Sequence, residues 1–209
     1  MREVDLPSTA ESPLIVVFDF DKTLSVKHVG PMDCNDARDR CFGGSARTQK
    51  LVTMLRTLHD LGAELYVLSR NLEYTVKKAL GRRPGIDVLE LFTSIVGNER
   101  CDFGQLKSEG LQEQILQGRP GDNLLFVDDD PSNTKDVKGA LPTTTVRLIP
   151  GLQNGMNDGD MDFVQDWAAN RVGLNLQSQR ERNDRVAEHH SQVAQLNSAF
   201  SSFAAINVR

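Results

Sequence analysis

Leu14-Ile15-Val16-Val17-Phe18-Asp19-Phe20-Asp21-Lys22-Thr23 is an unbroken apolar run that stops abruptly at two carboxylates. Five apolar residues without alternation read as a short strand buried on both faces, as in parallel sheets. Strand alternation would send Asp19 and Asp21 to one face, at a carboxyl end, where open α/β sheets place their ligands. The competing reading is a turn with helix-capping aspartates. Moving outward, β-rich runs recur at 64–68, 93–96, 124–127 and 143–149. Between the first two, Leu51, Met54, Leu55, Leu58 and Leu61 keep helical spacing over 45–61, and Gly62 stands where a C-terminal cap belongs. Further helical patterns cover 72–80 and about 105–116. This alternation predicts an α/β protein with a Rossmann-like parallel five-stranded sheet flanked by helices.

Composition narrows the function classes. The 209 residues suit one domain with an extension, on a prior of roughly 150 per domain. Twenty-four basic against 29 acidic residues give a net charge of −5, which argues against a generally basic nucleic-acid binder. Cys34, Cys41 and Cys101 form no disulfide framework, so reduced thiols in a cytoplasmic setting are expected. Residues 1–13 are polar with no apolar stretch of a signal peptide, and no run approaches a membrane span. The organisation expected is a polar segment over 1–13, a core over 14–156 and a helical extension over 157–209. In that extension a short helix is expected at 161–169. Farther on, Val193, Leu196, Phe200 and Phe203 form a narrow apolar stripe, either docked on its own domain or used for self-association as a homodimer.

A second acidic cluster, Asp128-Asp129-Asp130, follows the apolar run 124–127. Adjacent carboxylates repel, a divalent cation relieves the repulsion, and oxygen donors suit Mg²⁺. One of the three can instead cap a helix starting at Pro131. Between the clusters, Ser69 ends the second strand and can donate to an anion, while Lys107 sits in the first turn of a helix.

This order of Asp-x-Asp-x-Thr, Ser, Lys and Asp-Asp resembles the haloacid dehalogenase superfamily over roughly 14–156. Ser69-Arg70, Asp128-Asp129 with Asn133, and Asn154-Gly155-Met156 look more like its magnesium-dependent phosphatase branch. The resemblance implies Asp19 as nucleophile, since an aspartate needs no base to ionise at pH 7. It implies Asp21 as the acid that protonates the leaving oxygen and the base that then activates water. Phe18 and Phe20 are expected to give Asp21 apolar surroundings that raise its pKa. Mg²⁺ would be held by Asp19, the Asp21 carbonyl, Asp128 and Asp129, and phosphate by Thr23, Ser69, Arg70 and Lys107. The implied activity is hydrolysis of phosphate monoesters through an aspartyl-phosphate. Too few residues separate the motifs for a cap domain, so a bulky substrate such as a phosphotyrosine-type phosphoprotein is expected. A small sugar or nucleotide phosphate, and a non-catalytic phosphate-recognising module, are the alternatives.

A rival motif is present. Cys41-Phe-Gly-Gly-Ser-Ala-Arg47-Thr48 fits the C-x-x-G-x-x-R-T loop of cysteine-dependent phosphatases. No strand pattern precedes Cys41, and Gly43-Gly44-Ser45 reads better as a surface turn capping the next helix. His28 is expected near the site entrance. Lys77, Lys78, Arg82 and Arg83 read as a solvated basic run rather than an anion site.

Overall fold

The computed structural model describes residues 13–33, 40–82, 85–100, 106–150 and 155–174. The expectations for residues 1–12, Cys34, Cys101, Arg83, Asn154 and the C-terminal stripe lie outside them. Five strands form one parallel sheet: β1 (Ile15–Phe18), β2 (Glu64–Leu68), β3 (Phe92–Val96), β4 (Leu124–Asp128) and β5 (Thr145–Leu148). Their order is β3-β2-β1-β4-β5. The chain steps from β1 outward through β2 and β3, then returns to the other side of β1 for β4. The order therefore reverses between β1 and β4, a switch point where the carboxyl ends leave a crevice.

The continuous apolar runs are explained by burial on both faces. Val16 and Phe18 of β1 join one core layer, with Leu51, Met54, Leu55 and Leu58 of α1 (Ser45–Asp60) and Val76, Ala79 and Leu80 of α2 (Glu73–Leu80). Ile15 and Val17 face the other, with Leu111, Ile115, Leu116 and Val137. That second layer rests on α3 (Lys107–Gly110), continued as a π-helical turn over Leu111–Leu116, and on α4 (Pro131–Ala140). Gly62, with φ of +80°, ends α1 in the left-handed region that glycine enters most easily.

The last helix differs from the expectation. It is α5 (Asp158–Arg171), begun earlier than residue 161 by a capping box in which Asn157 and Asp160 bond each other's backbone N–H, at 2.9 and 3.1 Å. Met161, Val164 and Ala168 pack it into the first core layer. Among the described residues no helix is long and apolar enough to cross a membrane.

Candidate active site

The register of the two central strands assembles the acidic residues. Phe18 of β1 lies opposite Val127 of β4, and the Asp19 N–H donates to the Val127 carbonyl at 2.8 Å. The residues that follow, Asp19 and Asp128, therefore meet at the switch point. One carboxylate oxygen from each of Asp19, Asp128 and Asp129 lies within 4.8 Å of the other two. Asp128 is fully buried and Asp19 nearly so. Asn133 donates to both Asp128 oxygens at 3.1 Å, and the Asp130 N–H donates to one at 2.8 Å.

Burial, then the charge of Asp19, pushes the Asp128 carboxyl up to about 7. The same two causes, in the same order, raise Asp129. Three clustered hard oxygen donors whose charged forms disfavour one another fit a small divalent cation such as Mg²⁺. Asp130 has the other duty open to this run. Its side chain accepts from the Ser132 N–H at 2.7 Å and caps α4.

Lys107 opens α3 and is 5% exposed, so its ammonium is spent inside the site. It donates to Asp19 Oδ1 at 2.7 Å and to the Leu68 carbonyl, and its Nζ stands 3.8 Å from Asp128 Oδ2. Asp136 of α4 accepts from both the N–H and the hydroxyl of Ser108, each at 2.9 Å, which fixes the start of α3. Ser69, one residue past β2, is 2% exposed. Its Oγ accepts from the Asn71 N–H at 3.1 Å, leaving the hydroxyl hydrogen for a ligand.

Asp21 reaches the same cleft by a route the strand pattern did not indicate. β1 stops at Phe18, and Phe20–Leu24 turns sharply, with Lys22 at φ +60°. The Asp21 carboxylate accepts from the Val29 N–H at 2.8 Å and from the Asn71 amide at 3.0 and 3.3 Å. His28 Nδ1 is 3.6 Å away. Burial is the largest influence and raises its pKa, opposed by the Val29 N–H. Phe18 and Phe20, expected to surround it, are fully buried in the first core layer, where Phe20 packs edge-on against Phe42.

Asp19, Asp21, Lys22, His28, Ser69, Arg70, Lys107, Asp129 and Asn133 line one cleft of about 360 Å³. Thr23 is not among its lining residues; it is fully buried, and its carbonyl accepts from the Met156 N–H at 3.0 Å. Arg70 is exposed at the cleft. Lys78 donates to the Pro31 carbonyl at 3.2 Å and Lys77 pairs with Glu73, so neither reaches the cleft.

The cysteine motif resolves into a packing device. Cys41 is fully buried rather than in a surface turn, and its Sγ donates to the Asp33 carbonyl at 3.6 Å. Arg47 does not arch over an anion loop. Its guanidinium donates to the carbonyls of Leu24 (3.0 Å), Phe42 (3.1 Å), Met156 (3.2 Å) and Thr23 (3.4 Å). Burial lowers its pKa to about 10, which leaves it charged at neutral pH. A Cβ on Gly155 would come within 2.4 Å of that guanidinium, so the segment after β5 needs glycine there. Arg47 thus ties the turn after β1 to two other loops.

Two side chains were not legible as site residues. Asn71, in Ser69-Arg70-Asn71-Leu72, stands just before α2, and its Oδ1 accepts from the Leu72 N–H at 2.7 Å. Asn133, noted only as part of a motif, is the partner that holds Asp128.

No family model and no curated protein matches the sequence. Solved structures do. The N-terminal part of a Bacteroides fragilis protein, containing a phosphatase domain and complexed with Mg, aligns with a TM-score of 0.52 at 20% identity. The alignment covers 80% of this chain and 41% of that one, so the chain spans about two fifths of the structure it matches. The HAD domain of a Legionella pneumophila effector aligns at TM-score 0.46 and 16% identity, over 74% of this chain and 93% of that one. A haloacid dehalogenase-like hydrolase from Streptococcus pneumoniae aligns at 0.47 and 13%, over 73% and 91%.

Proposed function

We propose that this chain, which has the fold of the haloacid dehalogenase phosphatases, is a Mg²⁺-dependent phosphatase that hydrolyses phosphate monoesters by way of an aspartyl-phosphate on Asp19. The observation that carries the reading is the convergence of Asp19, Asp21, Ser69, Lys107 and Asp129 on one cleft, with Asp128 buried beside Asp19 and Asp129 at its floor. Four separate segments deliver these groups, and capping alone accounts for only one of the acids, Asp130.

Asp19 attacks phosphorus in line, the bond from phosphorus to the leaving oxygen breaks, and that oxygen takes the proton of Asp21. Asp21, now ionised, removes a proton from the water that cleaves the acyl phosphate and so returns to its starting form. Lys107 orients Asp19 and, with the Ser69 hydroxyl, neutralises the transferring oxygens. Asp19, Asp128 and Asp129, with the Asp21 carbonyl, would hold Mg²⁺, which when bound offsets the charge on the phosphoryl group. Arg70 is placed to meet the phosphate or its bearer at the cleft, and Thr23 acts through its buried place in the turn.

For the substrate, we take a bulky phosphate ester, a phosphotyrosine-type side chain on a protein. The segments between the motifs are too short for a cap domain. Leu72 and Tyr74, at the start of α2 just beyond Arg70, are exposed large apolar side chains that suit an aromatic ester.

The metal reading is tested with Asp128→Asn. The variant keeps the shape but halves the donor charge facing Asp19, so its Mg²⁺ requirement is expected to rise by at least about tenfold, with partial recovery of rate at high Mg²⁺. Mg²⁺ should also raise the melting temperature of the unaltered chain and raise that of the variant less. Unchanged Mg²⁺ dependence in both measurements would reduce the acidic cluster to a helix cap.

A further inference from the structure

We infer that Asn71 is a positioning residue for the proton-transfer step, holding the Asp21 carboxyl in the one orientation from which it can serve the leaving oxygen. The inference rests on the reading of Asp21 as acid and base, and adds a residue to it.

Asn71 uses both amide hydrogens and its amide oxygen at this point. One face of its Nδ2 donates to Asp21, at 3.0 Å to Oδ2 and 3.3 Å to Oδ1, and the other donates to the Val29 carbonyl at 2.8 Å. Its Oδ1 accepts from the Leu72 N–H, which fixes which end of the amide faces Asp21. Its backbone is held as well: the N–H donates to Ser69 Oγ and the carbonyl accepts from the Asn98 N–H at 2.9 Å.

The consequence concerns direction. Asp21 follows a strand that has already ended, in a turn with a left-handed residue next to it, so the backbone alone does not pin its side chain. Val29 donates to Oδ1 only, and a single hydrogen bond leaves the carboxyl plane free to rotate about it. The Asn71 amide spans both oxygens and removes that freedom. Oδ2, which accepts from Asn71 alone and has His28 Nδ1 at 3.6 Å, is then the oxygen left to carry the proton. Through Val29, the same amide also ties this arrangement to the segment that carries His28.

A wrongly aimed acid is felt in proportion to how much the leaving group needs a proton. Asn71→Ala and Asn71→Asp are the variants to compare, the second keeping size and the acceptor for Leu72 while removing the donor. Each is assayed with Mg²⁺ on p-nitrophenyl phosphate and on glycerol 2-phosphate, beside Asp21→Asn. A mobile Asp21 should lower kcat/KM, which reports the attack step, a few-fold on the aryl ester and about 10²-fold on the alkyl ester, while breakdown of the shared aspartyl-phosphate slows equally for both. In the Asp21→Asn background, Asn71→Ala should add no further alkyl-selective loss, because the group it aims is gone.

Equal losses in kcat/KM on the two esters from both Asn71 variants, while Asp21→Asn discriminates between them, would overturn the role of Asn71 and leave Asp21 in place. Equal losses in kcat/KM from Asp21→Asn itself, without a burst on the aryl ester, would overturn both.

Discussion

Asp19→Asn is expected to lower the hydrolysis of p-nitrophenyl phosphate by at least about 10³-fold, because an amide cannot form the covalent intermediate. The fold should survive. Asp19 touches Lys107 and the backbone of β4, and an asparagine retains an oxygen for the Lys107 ammonium and an N–H for the Val127 carbonyl. Removing one charge from the triad also lessens the repulsion that drives Asp128 upward. Cys41→Ser is the contrasting variant. Cys41 lies in the core with its thiol on the Asp33 carbonyl, an acceptor a serine hydroxyl can also use, so activity per folded molecule should stay within a few-fold. A dead serine variant beside an active asparagine variant would move the nucleophile to the cysteine. Circular dichroism of both variants separates loss of chemistry from loss of fold.

The second large effect is expected of Asp21→Asn, and it depends on the substrate. Nitrophenolate is a weak base that leaves with little protonation, so attack by Asp19 should persist on the aryl ester. Breakdown of the aspartyl-phosphate requires the base that the variant lacks. A rapid release of about one equivalent of nitrophenolate, then slow turnover, is therefore expected in stopped-flow traces. An alkyl oxygen must be protonated as it leaves, so on glycerol 2-phosphate the first step should itself fall by about 10²- to 10⁴-fold. Parallel losses on both esters without a burst would remove Asp21 from proton transfer.

Much of this arrangement is written locally in the chain. The runs 14–18, 65–68 and 124–127 are apolar on consecutive residues because each strand is covered on both faces, and that pattern alone places Asp19 and Asp128 at carboxyl ends. Their meeting follows once β1 and β4 are neighbours. The position of Asp21 is less legible. Alternation puts it on the Asp19 face of a strand, but the strand ends at Phe18, and a turn delivers the carboxylate instead. Asn71 and Arg47 were hidden for another reason. An asparagine before a helix and an arginine after a glycine pair each have an ordinary local reading. Their partners, Asp21 for one and Leu24 and Met156 for the other, stand 23 to 109 residues away along the chain. The start of α5 was underestimated because its capping box uses Asp160, whose side chain also pairs with Arg147 of β5 at 2.6 Å.

The central claim, that Asp19 carries the phosphoryl group, is tested most directly by locating the trapped phosphate. Asp21→Asn, quenched in acid within seconds of mixing with Mg²⁺ and p-nitrophenyl phosphate, should hold a hydroxylamine-labile phosphate, and mass spectrometry after borohydride reduction should find the modified residue at Asp19. A phosphate that resists hydroxylamine and maps to Cys41, or protein that stays unlabelled through a complete burst, would contradict it.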